Sequence, residues 1–581
     1  MGVDIDKDKE GAIVQSQLHS DSETGERRAS APGEVGYVPK DNRETDFFTR
    51  NGLSLRSFQR RDWGTGTEQL DRSMKSRHLN MIAMGGSIGS GFFVGSGTAF
   101  TAGGPGSVFI CFCIAGILVF NVVHALGELA VMYPVSGGMY TYAVRFISPA
   151  WGTAMGWNYA FGWLVVMPLE LTICTFTVQY WNKDINTAVW ITVFYVFIVA
   201  INIFGTLGYA EEEFVSSLFK LVATIIFMIV AVVLICGGGP ADGMYHEYWG
   251  ARLWYDPGAF LNGFRGFCAV FVTAAFSFGG TELVGLAAAE AKNPGESMPI
   301  AVKQIFWRVS IFYILGLALV GLLVSSTDER LLNFQNPYSE GVSMFVLAGK
   351  NAGLKGFDSF MNVLILVSVI SICVSSVFAG SRTITSLAQQ GYAPKFFDYI
   401  DRSGRPLFSV LLILAMGPIA YIALASTGMD VFSWLYSLCS LCLLFTWGSI
   451  CGAHIRFRSA WVKQGRSLDA IPYKSPCGVW GSWLSLTLVV IFLAAQIFVA
   501  IAPPGTTELN DAEGFFRAAA TLPVILAFWI IAYVMKPRGL IKLEEIDLDL
   551  GTREHDWDVI NAQRAKVASW PWWRRAINVM W

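Results

Sequence analysis

From Leu79 to Phe100 the chain carries no charged side chain, and an apolar run of that length is enough to cross a hydrocarbon core of ~30 Å as a helix. Such runs recur. Twelve of them, near residues 79–102, 106–132, 152–180, 188–206, 214–236, 259–289, 305–325, 358–381, 407–427, 431–453, 482–502 and 516–535, are separated by short polar loops. Only structures that satisfy every backbone group internally can span a bilayer, so this recurrence predicts an all-α polytopic membrane protein of twelve transmembrane helices. Apolar residues make up 53% of the 581 positions and charged residues 15%. The net charge of −2, with no basic cluster, leaves no electrostatic footprint for nucleic acid.

The first run has an unusual centre. Gly85, Gly86, Gly89 and Gly91 crowd it, and each disfavours helix by roughly 0.8–1 kcal/mol relative to Ala. A helix broken at membrane depth is tolerated only where its freed backbone faces protein or a wet cavity. If a second half-helix starts near Gly89, Ser90 and Gly91, its free N–H groups suit a carboxylate. The first half's last carbonyls, near Ser87, suit an ammonium. The alternative is a small-residue packing face, present here as Gly91-Phe-Phe-Val-Gly95. Phe276-Ser-Phe-Gly-Gly-Thr-Glu282 repeats the oddity in the sixth run. Paired interruptions at corresponding positions of two halves predict an inverted-repeat transporter, a 5+5 LeuT-like core with discontinuous helices 1 and 6 and a midplane site.

Residues 1–76 are polar and lack an apolar core after a basic start, which predicts a disordered tail and no signal peptide. An even number of spans puts both tails on one side. Lys292, Lys303, Lys395, Arg402, Arg405, Arg456, Arg458 and Lys463 place the excess of positive charge in the loops after even-numbered spans. Both tails, 1–76 and 537–581 around a 77–536 transporter domain, are therefore expected in the cytosol. The ten cysteines lie mostly inside spans and read as small packing residues; Cys439 and Cys442 have CxxC spacing but no nearby His or Asp to make a metal site. No metal, cofactor or phosphate-cradling loop is expected, and no covalent chemistry is needed.

Charges inside the membrane are costly and functional suspects by default. Glu170, after Pro168 in the third span, is too deep to reach water and reads as a proton-coupling or pocket residue. Glu282 follows the sixth-span break, either as a cap on the second half-helix or as a direct participant. Lys220 lies inside span five, where its stem could snorkel to the interface. Glu128 and His124 read as residues of the cytosolic edge, and Glu211, Glu212 and Glu213 as a solvated loop.

Several stretches carry a resemblance. Arg77-His-Leu-Asn-Met-Ile-Ala-Met-Gly-Gly-Ser-Ile-Gly-Ser-Gly91, Ala125-Leu-Gly-Glu-Leu-Ala130, Pro168-Leu-Glu-Leu171, Phe276-Ser-Phe-Gly-Gly-Thr-Glu-Leu-Val-Gly-Leu-Ala-Ala288, Phe306-Trp-Arg308, Asp401-Arg-Ser-Gly-Arg-Pro406 and His454-Ile-Arg-Phe-Arg458 resemble the fungal amino-acid permeases of the amino acid–polyamine–organocation superfamily. Within it the chain is most similar to the general amino-acid permeases of yeasts. The resemblance implies proton-coupled import of L-amino acids, of broad range, across the plasma membrane by alternating access, with protons as the coupling ion and no enzymatic activity. It implies Gly89, Ser90 and Gly91 for the substrate carboxylate, carbonyls of Ser87, Phe276 and Gly279 for its ammonium, and the Phe276 ring as a gate. It also implies that the span-five Lys220 ammonium stands where sodium-coupled relatives hold an ion, and so that Lys220 takes part in proton coupling rather than snorkelling. Tail lysines such as Lys7, Lys9 and Lys40 are candidate sites for ubiquitin-ligase machinery. Ser325-Ser-Thr-Asp328 and the final Asn578-Val-Met-Trp581 depart from the family's Pro-Tyr-Asn-Asp and Phe-Trp-Cys, so a lipidated terminal Cys is not expected. An amino-acid receptor without net transport and an exchanger are the alternatives.

Overall fold

The computed structural model describes residues 47–61, 73–135, 137–291, 294–331, 343–425, 428–552 and 556–575. Most of the 1–76 tail, including Lys7, Lys9 and Lys40, and the last six residues lie outside them. Among the described residues there are helices and no strands, with isolated bridges only at Arg60–Asp401 and Met74–Ala291.

In chain order the helices used below are α1 Ser76–Gly85, α2 Ser90–Phe93, α3 Gly95–Met132, α4 Gly138–Phe146, α5 Pro149–Val178, α6 Thr187–Ile203, α7 Gly205–Ile235, α8 Gly263–Ser277, α9 Leu283–Ala288, α10 Pro294–Trp307, α11 Gly316–Leu323, α12 Met344–Asn351, α13 Phe357–Gln389, α14 Leu407–Leu414, α15 Gly428–Lys463, α16 Gly478–Ile501, α17 Ala512–Ala519 and α18 Thr521–Met535. Among the described residues eight helical spans are long and apolar enough to cross a bilayer, or nine if α17 and α18, bent by 63°, count as one. The expected first run is divided between α1 and α2, and the sixth between α8 and α9.

The expected boundary between the first two runs falls where the sequence places it: within α3 the backbone leaves the helix at Gly104, whose φ of +77° and ψ of 170° need glycine, followed by Pro105. The carbonyl of Ala259 takes the Gly106 N–H at the kink (2.7 Å).

Two kinds of helix surface result. Along α5 and α13 nearly every turn is buried, so these form the interior. Helices at the periphery instead expose apolar stripes at helical spacing: Val189, Val193, Val196 and Phe197 on α6, and Val222, Ile225, Ile226 and Ile229 on α7. A soluble protein rarely leaves contiguous apolar faces of this kind open; lipid is their solvent.

Ion pairs fix the ends of the bundle. Glu128 on α3, expected at an edge, is fully buried: Arg458 of α15 grips it through Nε (2.5 Å) and Nη2 (2.8 Å), and the Ser475 N–H donates at 2.7 Å. His124 is buried one turn before it, its Nδ1 2.8 Å from the Phe120 carbonyl. Glu290, just past α9, takes Arg382 of α13 (2.9 Å) and Thr206 of α7 (2.7 Å). The segment after α18 packs back on the same structure. Leu548 is buried, and its carbonyl accepts from Tyr133 (2.9 Å), while Arg145 donates to the carbonyls of Asp547 and Leu550, each at 2.7 Å.

The expected solvated loop at Glu211–Glu213 is overturned. These residues lie within α7, and Glu213 is fully buried. Three acids in a row look like a loop by composition, but on a helix successive residues point about 100° apart, so Glu213 turns fully inward while Glu211 pairs with Arg77 at the surface.

Candidate functional site

Helix α1 stops at Gly85. Residues 86–89 turn without continuing it, Ile88 N bonding back to Gly85 O (3.0 Å), and Gly89 adopts φ −145°, ψ −149° before α2 begins. Val94 keeps a right-handed helical conformation, so α2 and α3 act as one long helix whose first N–H groups, at Ser90 and Gly91, have no intrahelical acceptor. In the sixth run α8 ends at Ser277 and α9 begins at Leu283. The chain between them turns through Gly280, whose φ of +85° is open to glycine at little cost.

The two breaks touch. The Ser277 hydroxyl donates to the Gly91 carbonyl (2.6 Å), and a Cβ on Gly91 would lie 2.7 Å from the Ser277 Cα. Glycine at position 91 is what permits that approach. Beside the contact lies a cavity with about 560 Å³ of atom-free space, its open mouth included. Ser87, Gly89, Ser90 and Gly91 form one wall, and Phe276, Ser277, Gly279 and Gly280 another. Apolar groups close the rest, among them Trp163 on α5, Ile372 on α13 and Cys439, Cys442 and Leu443 on α15.

Glu170 is the acidic residue of this wall. It is 2% exposed, its Oε1 accepts from the Ser90 hydroxyl at 2.5 Å, and its Oε2 is buried with no hydrogen-bond partner. Phe276 borders the cavity too, its ring edge-on to Tyr436 at 4.9 Å between centroids.

The structure thus gathers Ser87, Gly89, Ser90, Gly91, Glu170, Phe276 and Gly279 at one cavity and leaves two sequence candidates behind its wall. Glu282 makes no cap hydrogen bond to α9. Its carboxylate instead accepts from Trp447 Nε1 (3.1 Å) and from Tyr159 (3.3 Å), a cavity-lining phenol. Lys220 is fully buried, so it does not snorkel. Its ammonium donates to the Gly85 carbonyl (3.1 Å), the Ser371 hydroxyl (2.9 Å) and Glu213 Oε1 (3.4 Å), directly beneath the first break.

Two residues of the seventh run escaped the sequence reading. Tyr313 places its hydroxyl 2.8 Å from both the Ser87 carbonyl, inside the first break, and the Ser277 carbonyl, at the end of α8. Arg308, fully buried, donates to the Ala83 carbonyl (2.5 Å) and to the Thr281 hydroxyl (2.6 Å). Both side chains join one break to the other. Their signal was a cation and a phenol five residues apart in an apolar run, the cation near enough to its start to pass for an interfacial residue.

Many long apolar helices around an open-mouthed cavity, with two interrupted helices forming its walls, define a polytopic membrane protein. Residues 78–544 match the family model for the amino acid permeases. The chain belongs to that family, whose members are membrane transporters and not enzymes. It is 58% identical over 563 residues to the amino-acid permease inda1 of Hypocrea atroviridis, covering 96% of this chain and 98% of that one. It is 44% identical to the general amino-acid permease GAP1 of Saccharomyces cerevisiae, with 88% and 86% covered. To the cationic amino acid transporter 1 of Schizosaccharomyces pombe it is 46% identical, with 84% and 82% covered.

Proposed function

We propose that this permease is a proton-coupled symporter that imports L-amino acids of broad range across the plasma membrane, by alternating access of a twelve-span protein with a 5+5 inverted-repeat core. The observation that carries the reading is the cavity at the touching breaks, with free helix N–H groups at Ser90 and Gly91 on one side and the unpartnered Glu170 oxygen on another. A zwitterion fits such a pair of poles. Its carboxylate takes the N–H groups of Gly89, Ser90 and Gly91. Its ammonium takes the carbonyls of Ser87, Phe276 and Gly279, with Glu170 as the counter-charge.

Each residue then has a physical task. Phe276 covers the bound substrate. Tyr313 stands on the Ser87 carbonyl, so it sets how that carbonyl meets the ammonium. Glu282 orients Tyr159 through its hydrogen bond. Lys220, held against Gly85 at the end of α1, links the protonation state of the interior to the position of that half-helix. Backbone recognition accounts for any amino acid. The general permease among the relatives and the apolar wall of Trp163, Ile372 and Leu443 support a broad range rather than one side chain. On this reading both tails lie in the cytosol, where ubiquitin-ligase machinery reaches their lysines; the excess of Lys and Arg in the loops after even-numbered spans supports it.

Uptake of radiolabelled amino acids into proteoliposomes tests this, with and without an inward proton gradient and in competition with all twenty amino acids. Accumulation driven by the gradient and inhibited by many amino acids is the expected result. Uptake only into preloaded vesicles would show an exchanger, and binding without uptake would show a receptor; either outcome overturns the reading.

A further inference from the structure

Glu213 and Lys220 form a fully buried acid–lysine pair, and among the described residues no other lysine is buried against an acid. The pair is loose for an ion pair, at 3.4 Å between Nζ and Oε1. The tight contacts of Glu213 are with hydroxyls. Ser217 donates to Oε1 (2.7 Å), Ser371 to Oε2 (2.7 Å) and Ser375 to Oε2 (3.2 Å). Two helices build this cage by spacing alone: 213, 217 and 220 share one face of α7, and 371 and 375 one face of α13.

A hydroxyl is both donor and acceptor and turns freely. A shell of three serines therefore satisfies a carboxylate by donating, and satisfies a carboxylic acid by turning one hydroxyl to accept. Lysine, unlike arginine, also gives up its proton when its surroundings demand it. This cage tolerates a change of charge, which an arginine fork does not.

Its position connects that change to motion. Lys220 shares its ammonium between Glu213 and the Gly85 carbonyl, the last of α1 before the break. At Gly85 the helices are at closest approach, since a Cβ there would lie 2.4 Å from that of Ser217.

We propose that Glu213 is a proton-binding site, the one that takes up and releases the transported proton, with Lys220 as its partner and the Gly85 carbonyl as the contact through which α1 responds. The proposal rests on the symport reading above. With a proton on Glu213 the ammonium has lost its counter-charge and leans on the Gly85 carbonyl and Ser371, which holds α1 in place. When the proton leaves, the carboxylate draws the ammonium back along α7 and frees α1 to move. Nothing else changes hands. The groups that face the site are Tyr209 and Glu212 on its own helix, Cys373 and Arg382 on α13, Cys174 and Glu170 on α5 beyond Cys373, and Arg77 and His78 on α1, which are held by Glu211 at 2.7 and 3.1 Å.

The test compares wild type, Glu213→Gln, Glu213→Asp and Glu212→Gln in proteoliposomes. Glu213→Gln fixes the uncharged form, so accumulation under an inward proton gradient should fall at least about tenfold, to the level without a gradient, while exchange into preloaded vesicles stays within about twofold. Glu213→Asp should keep the gradient response with a shifted pH midpoint, because its shorter stem draws the carboxyl back from the serines. Glu212→Gln should respond like wild type. A full gradient response in Glu213→Gln overturns the proposal, and so does its loss in Glu212→Gln alone. If Glu213→Gln fails to fold, an unmoved midpoint in Glu213→Asp overturns it. A wild type indifferent to the gradient overturns the symport reading, and this proposal with it.

Discussion

Buried carboxylates in this protein fall into two groups. Glu128, Glu290 and Asp401 are each gripped by an arginine: Arg458, Arg382 and Arg405, with Nε–O distances of 2.5, 2.9 and 2.7 Å. Glu170, Glu213 and Glu282 have no arginine partner and are held by serine hydroxyls, a phenol, an indole or a lysine. The first group joins segments distant in sequence or pins a loop, as when Glu128 ties α3 to α15. The second lies around the two helix breaks. A guanidinium offers only donors and keeps its charge, so its partner is locked as a carboxylate and serves as a strut. Carboxylates held by hydroxyls are free to exchange a proton or accept a ligand.

The contrast is strongest in stability. Replacing Glu128 with Gln leaves Arg458 buried without its counter-charge, a loss of about 3–5 kcal/mol by precedent for broken buried pairs. Thermal unfolding of the purified protein in detergent should show a large fall in midpoint and poor expression. Glu170→Gln should do the reverse, leaving the midpoint unchanged or raised because a buried carboxylate with no counter-ion gives way to an uncharged amide. Its cost should appear in substrate affinity instead. A hydrogen bond to a charged group is worth about 1.5–3 kcal/mol, or roughly a ten- to hundredfold weaker amino-acid binding by competition assay. If Glu170→Gln unfolds the protein and Glu128→Gln does not, the division into struts and exchangeable groups is wrong.

How far this was legible in the sequence follows the same division. The broken helices were readable because glycines crowd charge-free runs, and Glu170 because an acid in the middle of such a run has nowhere else to go. The strut at Glu128 was readable only as a residue near the end of its span, since its partner Arg458 lies 330 positions away and only the fold brings them together. Glu213 was lost among its neighbours, although Glu213, Ser217 and Lys220 at helical spacing already marked one polar face in an apolar helix. The cavity's far wall, from Ile372, Cys439, Cys442 and Leu443, carries no local signal at all. These are ordinary helix residues, and only tertiary packing assigns them to the site.

A finer test separates the hydroxyls that hold a carboxylate from those that merely fill space. Ser90 is the one hydrogen-bond partner seen for Glu170, through a 2.5 Å contact to Oε1, and it also stands at the start of α2. Ser90→Ala keeps the helix N–H groups and removes only this hydroxyl, so Glu170 loses the group that aims it. The loss of one such bond is worth about 1 kcal/mol, which predicts an amino-acid affinity weakened roughly fivefold with little change in unfolding midpoint. Because the change frees Glu170 rather than deleting it, a Ser90→Ala, Glu170→Gln double variant should bind no worse than Glu170→Gln alone. Additive losses in the double variant would mean that Ser90 meets the substrate directly and that Glu170 is held by something other than its hydroxyl.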